Sequence, residues 1–121
     1  MKLALRIHYV PAPGIVKYAK ITGVMSERKR VRIVVAGQVQ GVGFRYAAHH
    51  WGAGLNLVGW VRNLPDGGLE AVAEGEEKAL EDFIRLLRRG PAMAQVERLD
   101  VEWETALGEF EDFRIVRFQR P

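Results

Sequence analysis

The feature that most constrains the fold of this chain is a glycine-rich segment, Gly37–Arg45, between two stretches of different periodicity. The apolar run before it, residues 31–36, indicates a β-strand. After it, apolar residues follow the spacing of one helical face: Phe44, Ala47, Ala48, Trp51 and Leu55. A glycine loop that leads from a strand into a helix gathers free backbone N–H groups at the positive end of the helix dipole. The segment therefore predicts an anion site, to which Arg45 would add a planar cation suited to a phosphate.

The next part of the chain predicts a β-hairpin. Residues 57–62 and 69–74 have the composition of strands, and the segment between them contains Pro65 and the pair Asp66-Gly67. Proline fixes φ and Asp-Gly tolerates positive φ, so these residues favour a tight turn.

A second helix is predicted over residues 76–89. Two glutamates open it and two arginines close it, which complements the helix dipole, and Gly90-Pro91 ends it. Alternating apolar residues then indicate a half-exposed strand over 99–103, and a short last strand is predicted from Phe113 to Phe118. The order β-α-β-β-α-β with one extra strand predicts an α+β, ferredoxin-like sandwich with two helices on one face of a mainly antiparallel sheet.

Composition indicates one ordinary globular domain. The chain has 121 residues, of which 48% are hydrophobic and 27% charged. It contains no cysteine, which excludes disulfides, thiolate metal sites and cysteine nucleophiles. No apolar run is long enough to cross a membrane. We expect a cytoplasmic monomer with no membrane partner.

The net charge of +3 is unevenly distributed along the chain. Residues 1–30 hold seven lysines and arginines against the single acid Glu27, so the remainder is mildly acidic. A basic surface for nucleic acid would belong to this tail and not to the domain, and no nucleic-acid partner is expected. Residues 1–24 have no sustained periodicity and precede a second plausible start, Met25. We interpret 1–24 as a loosely held extension or a start-site artefact, with a basic arm for an acidic partner as the alternative, and 25–121 as the domain.

The glycine segment does not match the common nucleotide-binding loops. No Gly-Lys-Ser/Thr follows it, and Gly41-Val42-Gly43 lacks the third glycine of a dinucleotide fingerprint. On spacing alone, a glycine turn that serves only close packing stays open as an alternative.

Two motifs together indicate a family. The segment Gly37–Arg45, with the sequence GQVQGVGFR, resembles the first signature of the acylphosphatase family, and Gly59–Gly67, with the sequence GWVRNLPDG, resembles the second. Gly59 stands 14 residues after Arg45, which is similar to the family spacing. The resemblance extends from about Val31 to Val116, so it covers the whole predicted domain.

The resemblance implies hydrolysis of a small-molecule acyl phosphate to a carboxylate and phosphate, with no metal and no organic cofactor. Arg45 matches the arginine that binds the phosphoryl group, and Asn63 matches the asparagine that positions the attacking water. The backbone N–H groups that would surround the phosphate oxygens belong to Gln40, Gly41, Val42, Gly43 and Phe44.

Other polar residues have simpler explanations. His49 and His50 are adjacent, so they face different sides of a helix, and no third ligand accompanies them. Asp66 could in principle be an aspartyl nucleophile, but its Asp-Gly context favours a turn role. The tryptophans are expected to pack in the core or on the sheet. Arg62 should point to the sheet face opposite Asn63, where we expect it to be solvent-exposed.

The sequence departs from the family pattern near the end of the first helix. Asn56 replaces an expected glycine, which asparagine's tolerance of the left-handed conformation explains. Gly52 replaces an alanine and Gly54 is close to it, so we expect the helix to fray after Trp51. Leu69 in place of valine is a mild change on a strand.

The fold and the first motif also occur in proteins of other function. Ferredoxin-like sheets also bind RNA, but that function needs paired aromatic residues on the first and third strands, and residues 31–36 and 69–74 contain none. Acylphosphatase-like domains also occur in larger carbamoyl-phosphate-handling proteins, which carry zinc fingers and a transferase domain beyond them. The chain to Pro121 contains neither.

Overall fold

A computed structural model describes residues 28–117 of the chain. The elements follow the predicted order: β1 (Arg28–Gln38), α1 (Phe44–Gly54), β2 (Val58–Asn63), β3 (Leu69–Glu76), α2 (Glu77–Arg89), β4 (Gln95–Thr105) and β5 (Phe113–Ile115). The predicted extension over residues 1–24 lies outside the described residues. The last strand ends at Ile115 and not at the predicted Phe118, which itself lies outside the described residues.

The described strands form one sheet with the order β4-β1-β3-β2-β5. All neighbouring strands are antiparallel except β2 and β5, which run parallel. Alternate residues of β1 and β3 are buried against both helices in a single core: Val31, Ile33, Val35, Leu69, Ala71, Ala73, Phe44, Ala48, Leu80, Phe83 and Leu87. The predicted α+β fold, with two helices on a mainly antiparallel sheet, is confirmed.

The sheet face away from the helices carries buried carboxylates. Glu70 and Glu74 on β3 are 5% and 1% exposed. Arg32 and Arg62 both pair with Glu70, and the Nη2 atom of Arg62 lies 2.7 Å from Oε1 of Glu70. The expectation that Arg62 is solvent-exposed is wrong, because the buried carboxylate on the adjacent strand draws it onto the sheet. Its side chain is only 22% exposed and lies over the ring of Trp60.

The first helix is longer than its glycines suggested. It continues through Gly52 to Gly54, so the expectation that it frays after Trp51 is wrong. Gly52 is buried, and its backbone packs against β5. Asn56 has φ 62°, the left-handed conformation that its position was predicted to require. Within residues 28–117, no helix is long and apolar enough to cross a membrane.

Candidate active site

The loop between β1 and α1 depends on two left-handed glycines. Gly41 and Gly43 both have φ 77°, a conformation that residues with a Cβ atom rarely adopt. A Cβ atom at either position would meet no protein atom within 4 Å. Glycine is therefore required here by the backbone conformation and not by a lack of space. The surface above the loop is open at both positions.

The backbone N–H groups in the first turn of α1 have no acceptors from this loop. Gly43 is the N-cap of α1 and provides no side-chain cap. The first hydrogen bond of the helix runs from the Ala47 N–H to the Gly43 carbonyl, at 3.0 Å. The N–H groups of Phe44, Arg45 and Tyr46 come before that bond and have no acceptor within the helix. An anion at this position would accept from these donors and lie at the positive end of the helix dipole.

A small cleft of about 170 Å³ opens at this helix terminus. It brings together Arg45 and Asn63, the two residues predicted to carry the chemistry. The lining residues are Val39, Gly41, Gly43, Phe44, Arg45, Tyr46 and Asn63. Gln40 and Val42 were predicted for the cradle through their backbone, and their side chains do not line the cleft.

Two lining residues, Val39 and Tyr46, were not predicted from the sequence. Val39 is buried beside the loop, whereas Tyr46 is 69% exposed. Tyr46 directly follows Arg45 in the first turn of α1. Its place in the sequence could therefore have predicted that it lines the cleft.

The cleft has a positive character. Arg45 forms no ion pair with any other residue in the range 28–117, and none of the cleft-lining residues is acidic. The Asn63 side chain likewise makes no hydrogen bond within the described part of the chain. Both polar groups are therefore available to a ligand. Residues 28–117 contain no group of three histidines or carboxylates that could hold a metal ion.

The turn after β2 fixes the backbone next to Asn63, which is the last residue of that strand. The Leu64 N–H donates to the Gly68 carbonyl at 2.9 Å, and the Gly68 N–H donates to Oδ1 of Asp66 at 2.9 Å. Gly67 has φ 98°, which closes the turn. Asp66 therefore has the predicted turn role.

His49 packs edge-on against the Phe113 ring, and neither His49 nor His50 lines the cleft.

Other glycines of the two motifs serve close packing. A Cβ atom on Gly37 would lie 2.2 Å from the Gln95 carbonyl oxygen, and one on Gly59 would lie 1.9 Å from the Val72 carbonyl oxygen. The packing explanation of the glycines thus applies to these two positions, while Gly41 and Gly43 set the backbone conformation of the loop at the cleft.

Comparisons with known proteins identify the family of the chain. The model of the acylphosphatase family matches residues 31–115. The chain is 48% identical over 87 residues to an acylphosphatase of Acaryochloris marina, across 72% of this chain and 92% of the relative. The crystal structure of the Bacillus subtilis acylphosphatase superposes with a TM-score of 0.71 at 39% identity, covering 73% of this chain and 98% of that one.

The same fold also occurs inside a much longer protein. The structure of HypF from T. kodakarensis matches with a TM-score of 0.64 at 35% identity, across 73% of this chain but only 12% of that one. The matched region thus occurs both as a short acylphosphatase and as a part of a larger molecule. With its family model, its relatives and its fold in agreement, the chain belongs to the acylphosphatase family of hydrolases.

Proposed function

We propose that this chain hydrolyses acyl phosphates with Arg45 and the β1–α1 loop as the phosphate site and Asn63 as the residue that orients the attacking water. The observation that carries the proposal is the shared cleft. The cleft contains the Arg45 guanidinium and the Asn63 amide at a helix N-terminus that has no side-chain cap. Within residues 28–117, the guanidinium has no ion pair and the amide has no hydrogen bond.

The phosphate half of the site would work by electrostatics. In phosphoryl transfer, negative charge is spread over three equatorial oxygens in a loose transition state. The Arg45 guanidinium and the N–H groups from Gln40 to Phe44 would hold those oxygens from a frame that the glycine dihedral angles already fix. Little reorganisation is then needed when the reaction occurs.

The water half of the site needs no strong base. The Asn63 amide has a carbonyl that accepts a hydrogen bond from water and an N–H₂ group that donates, but it cannot remove a proton at neutral pH. The water oxygen forms a bond to phosphorus while the bond from phosphorus to the acyl oxygen breaks. The carboxylate leaves without protonation, and the water proton passes late to the phosphate oxygens of the substrate.

The sheet itself argues against the RNA-binding alternative. Strands β1 and β3 carry no aromatic residue, and the carboxylates of Glu70 and Glu74 on the face away from the helices are buried in ion pairs with arginines. RNA-binding sheets of this kind stack bases on aromatic side chains, which these two strands lack. The cytoplasmic location, the monomeric state and the loosely held extension stay predictions from the sequence.

The direct test is hydrolysis of acetyl phosphate by the full chain and by Arg45→Ala. The variant should lose at least about 100-fold in kcat/KM, because a charge that stabilises the transition state is removed. Arg88→Ala is the matched control, since Arg88 is an exposed arginine at the other helix. A folded Arg45→Ala protein that retains most of the activity would overturn the proposed role of Arg45.

A further inference from the structure

The side chain of Gln40 connects the phosphate loop to the β2–β3 turn. Its Nε2 atom donates to the carbonyl oxygens of Leu64 and Gly68, each at 2.8 Å. A primary amide has two N–H donors, so both are used by this one turn. Within residues 28–117, no other side chain forms a hydrogen bond that joins these two segments.

The two carbonyls belong to the residues that open and close the turn. The Leu64 N–H donates to the Gly68 carbonyl, so Gln40 binds both sides of a hydrogen-bonded loop. Gly68 is itself fixed against β1, because a Cβ atom there would lie 2.7 Å from the Val35 carbonyl oxygen. Leu64 directly follows Asn63, so it is the residue through which the Gln40 amide would control the position of Asn63.

We propose that Gln40 is a positioning residue for the reaction, which holds the Asn63 side chain at a fixed distance across the cleft from Arg45. The inference rests on the proposed roles of Arg45 and Asn63. It adds that the loop and the turn form one unit through a side chain that does not line the cleft and does not touch the substrate.

The physical reason is that water delivery depends steeply on geometry. A displacement of about 1 Å between reacting groups can lower a rate about 100-fold. The backbone N–H groups and Arg45 bind phosphate without help from the turn. Loss of the Gln40 contacts should therefore affect kcat and leave phosphate affinity close to its original value.

The test is a double-mutant cycle between Gln40 and Asn63 in the full chain. Gln40→Met keeps the length of the side chain and removes both donors, and Asn63→Ala removes the group that Gln40 positions. We expect Gln40→Met to lower kcat for acetyl phosphate by about tenfold or more, with KM and the inhibition constant of inorganic phosphate within about threefold. The double variant should be no slower than Asn63→Ala alone within about twofold, because the two changes act on one function.

The neighbouring Gln38→Met is the matched control, since Gln38 is an exposed glutamine on β1 that lies outside the loop. It should leave kcat unchanged. The inference would be overturned if the two losses in kcat add in the double variant, or if Gln40→Met changes KM alone. If Asn63→Ala alone has no effect on kcat, the proposed role of Asn63 fails instead, which separates the two outcomes.

A measurement on the unmodified chain covers the case in which Gln40→Met does not fold. The side-chain amide hydrogens of Gln40 should exchange with solvent at least about tenfold more slowly than those of Gln38, because each Gln40 amide hydrogen is bound to a carbonyl oxygen. Equal exchange at the two glutamines would contradict a fixed connection between loop and turn.

Discussion

Gly52 on α1 lies directly against the ring of Phe113 on β5. A Cβ atom on Gly52 would be 2.7 Å from Cε2 of that ring and 2.8 Å from Cδ2. Phe113 is 6% exposed and also packs edge-on against Phe83 of α2, at 5.6 Å between ring centroids. The ring is therefore held from a second side and has little freedom to move away.

Replacing Gly52 with alanine should destabilise the protein. The helix would gain about 0.5–1 kcal/mol from the better propensity of alanine. Overpacking of a core typically costs about 1–3 kcal/mol, which exceeds that gain. We expect a net loss of about 1 kcal/mol or more in the free energy of unfolding, measured by urea denaturation.

Gly54→Ala is the matched control for this prediction. It lies on the same helix, and a Cβ atom there would meet nothing within 4 Å. Only the propensity term remains, so this variant should be stabilised by a few tenths of a kcal/mol. An equal response of Gly52→Ala and Gly54→Ala would show that the Phe113 contact does not decide the need for glycine.

Gly52 also illustrates what the sequence could and could not predict. The helix and strand order followed from apolar periodicity, which is a local property of the chain. Whether a glycine weakens a helix or allows a ring to pack depends on a residue far along the chain. The sequence therefore predicted a frayed helix, where tertiary packing favours a continuous one.

The candidate active site was likewise predicted only in part. Arg45 and Asn63 were predicted from the two motifs and lie in one cleft. The connection through Gln40 and the pairing of Arg62 with Glu70 were not predicted. Each of these contacts depends on the orientation of one side chain relative to a different strand or turn, and no periodic pattern records that orientation.

Removing the Asn63 side chain should reduce turnover more than substrate affinity. Asn63→Ala keeps Arg45 and the loop, so under the proposed roles acetyl phosphate should still bind while the attacking water would lose its orientation. We expect kcat to fall about 100-fold with KM within about threefold, measured by steady-state hydrolysis. A change confined to KM would mean that Asn63 binds the substrate and does not orient water.

The control for that variant is Asn56→Gly. It also removes an amide side chain, and glycine tolerates the φ of 62° at this position without strain. Asn56 lies after α1 and does not line the cleft. Its hydrolysis rate should equal that of the unmodified chain.

Hydrolysis should not depend on a metal ion. Residues 28–117 contain no cluster of metal-ligating side chains, and in the proposed mechanism Arg45 and the helix terminus would supply the positive charge that the transition state needs. We expect the same rate of acetyl phosphate hydrolysis before and after dialysis against EDTA. A loss of activity that magnesium or zinc restores would contradict this expectation.

Glu74 should support stability and not catalysis. Its buried carboxylate accepts from the N–H groups of Leu107 and Gly108, at 2.8 and 3.0 Å, and pairs with Arg30 at 3.3 Å. Glu74→Ala leaves these donors without their acceptor, and loss of one partner of a buried charged pair typically costs about 3–5 kcal/mol. Glu74→Gln keeps an acceptor oxygen and should cost less.

The position of Glu74 in the hairpin separates this effect from the chemistry. Glu74 lies opposite Val58 at the start of β2, whereas Asn63 ends that strand opposite Leu69. Under conditions where Glu74→Gln is fully folded, its kcat should therefore match that of the unmodified chain. Glu81→Ala, at an exposed position on α2, should change the free energy of unfolding by no more than about 0.5 kcal/mol. Urea denaturation that shows equal stability for Glu74→Ala and Glu81→Ala would mean that the buried carboxylate does not hold the segment after β4 against the sheet.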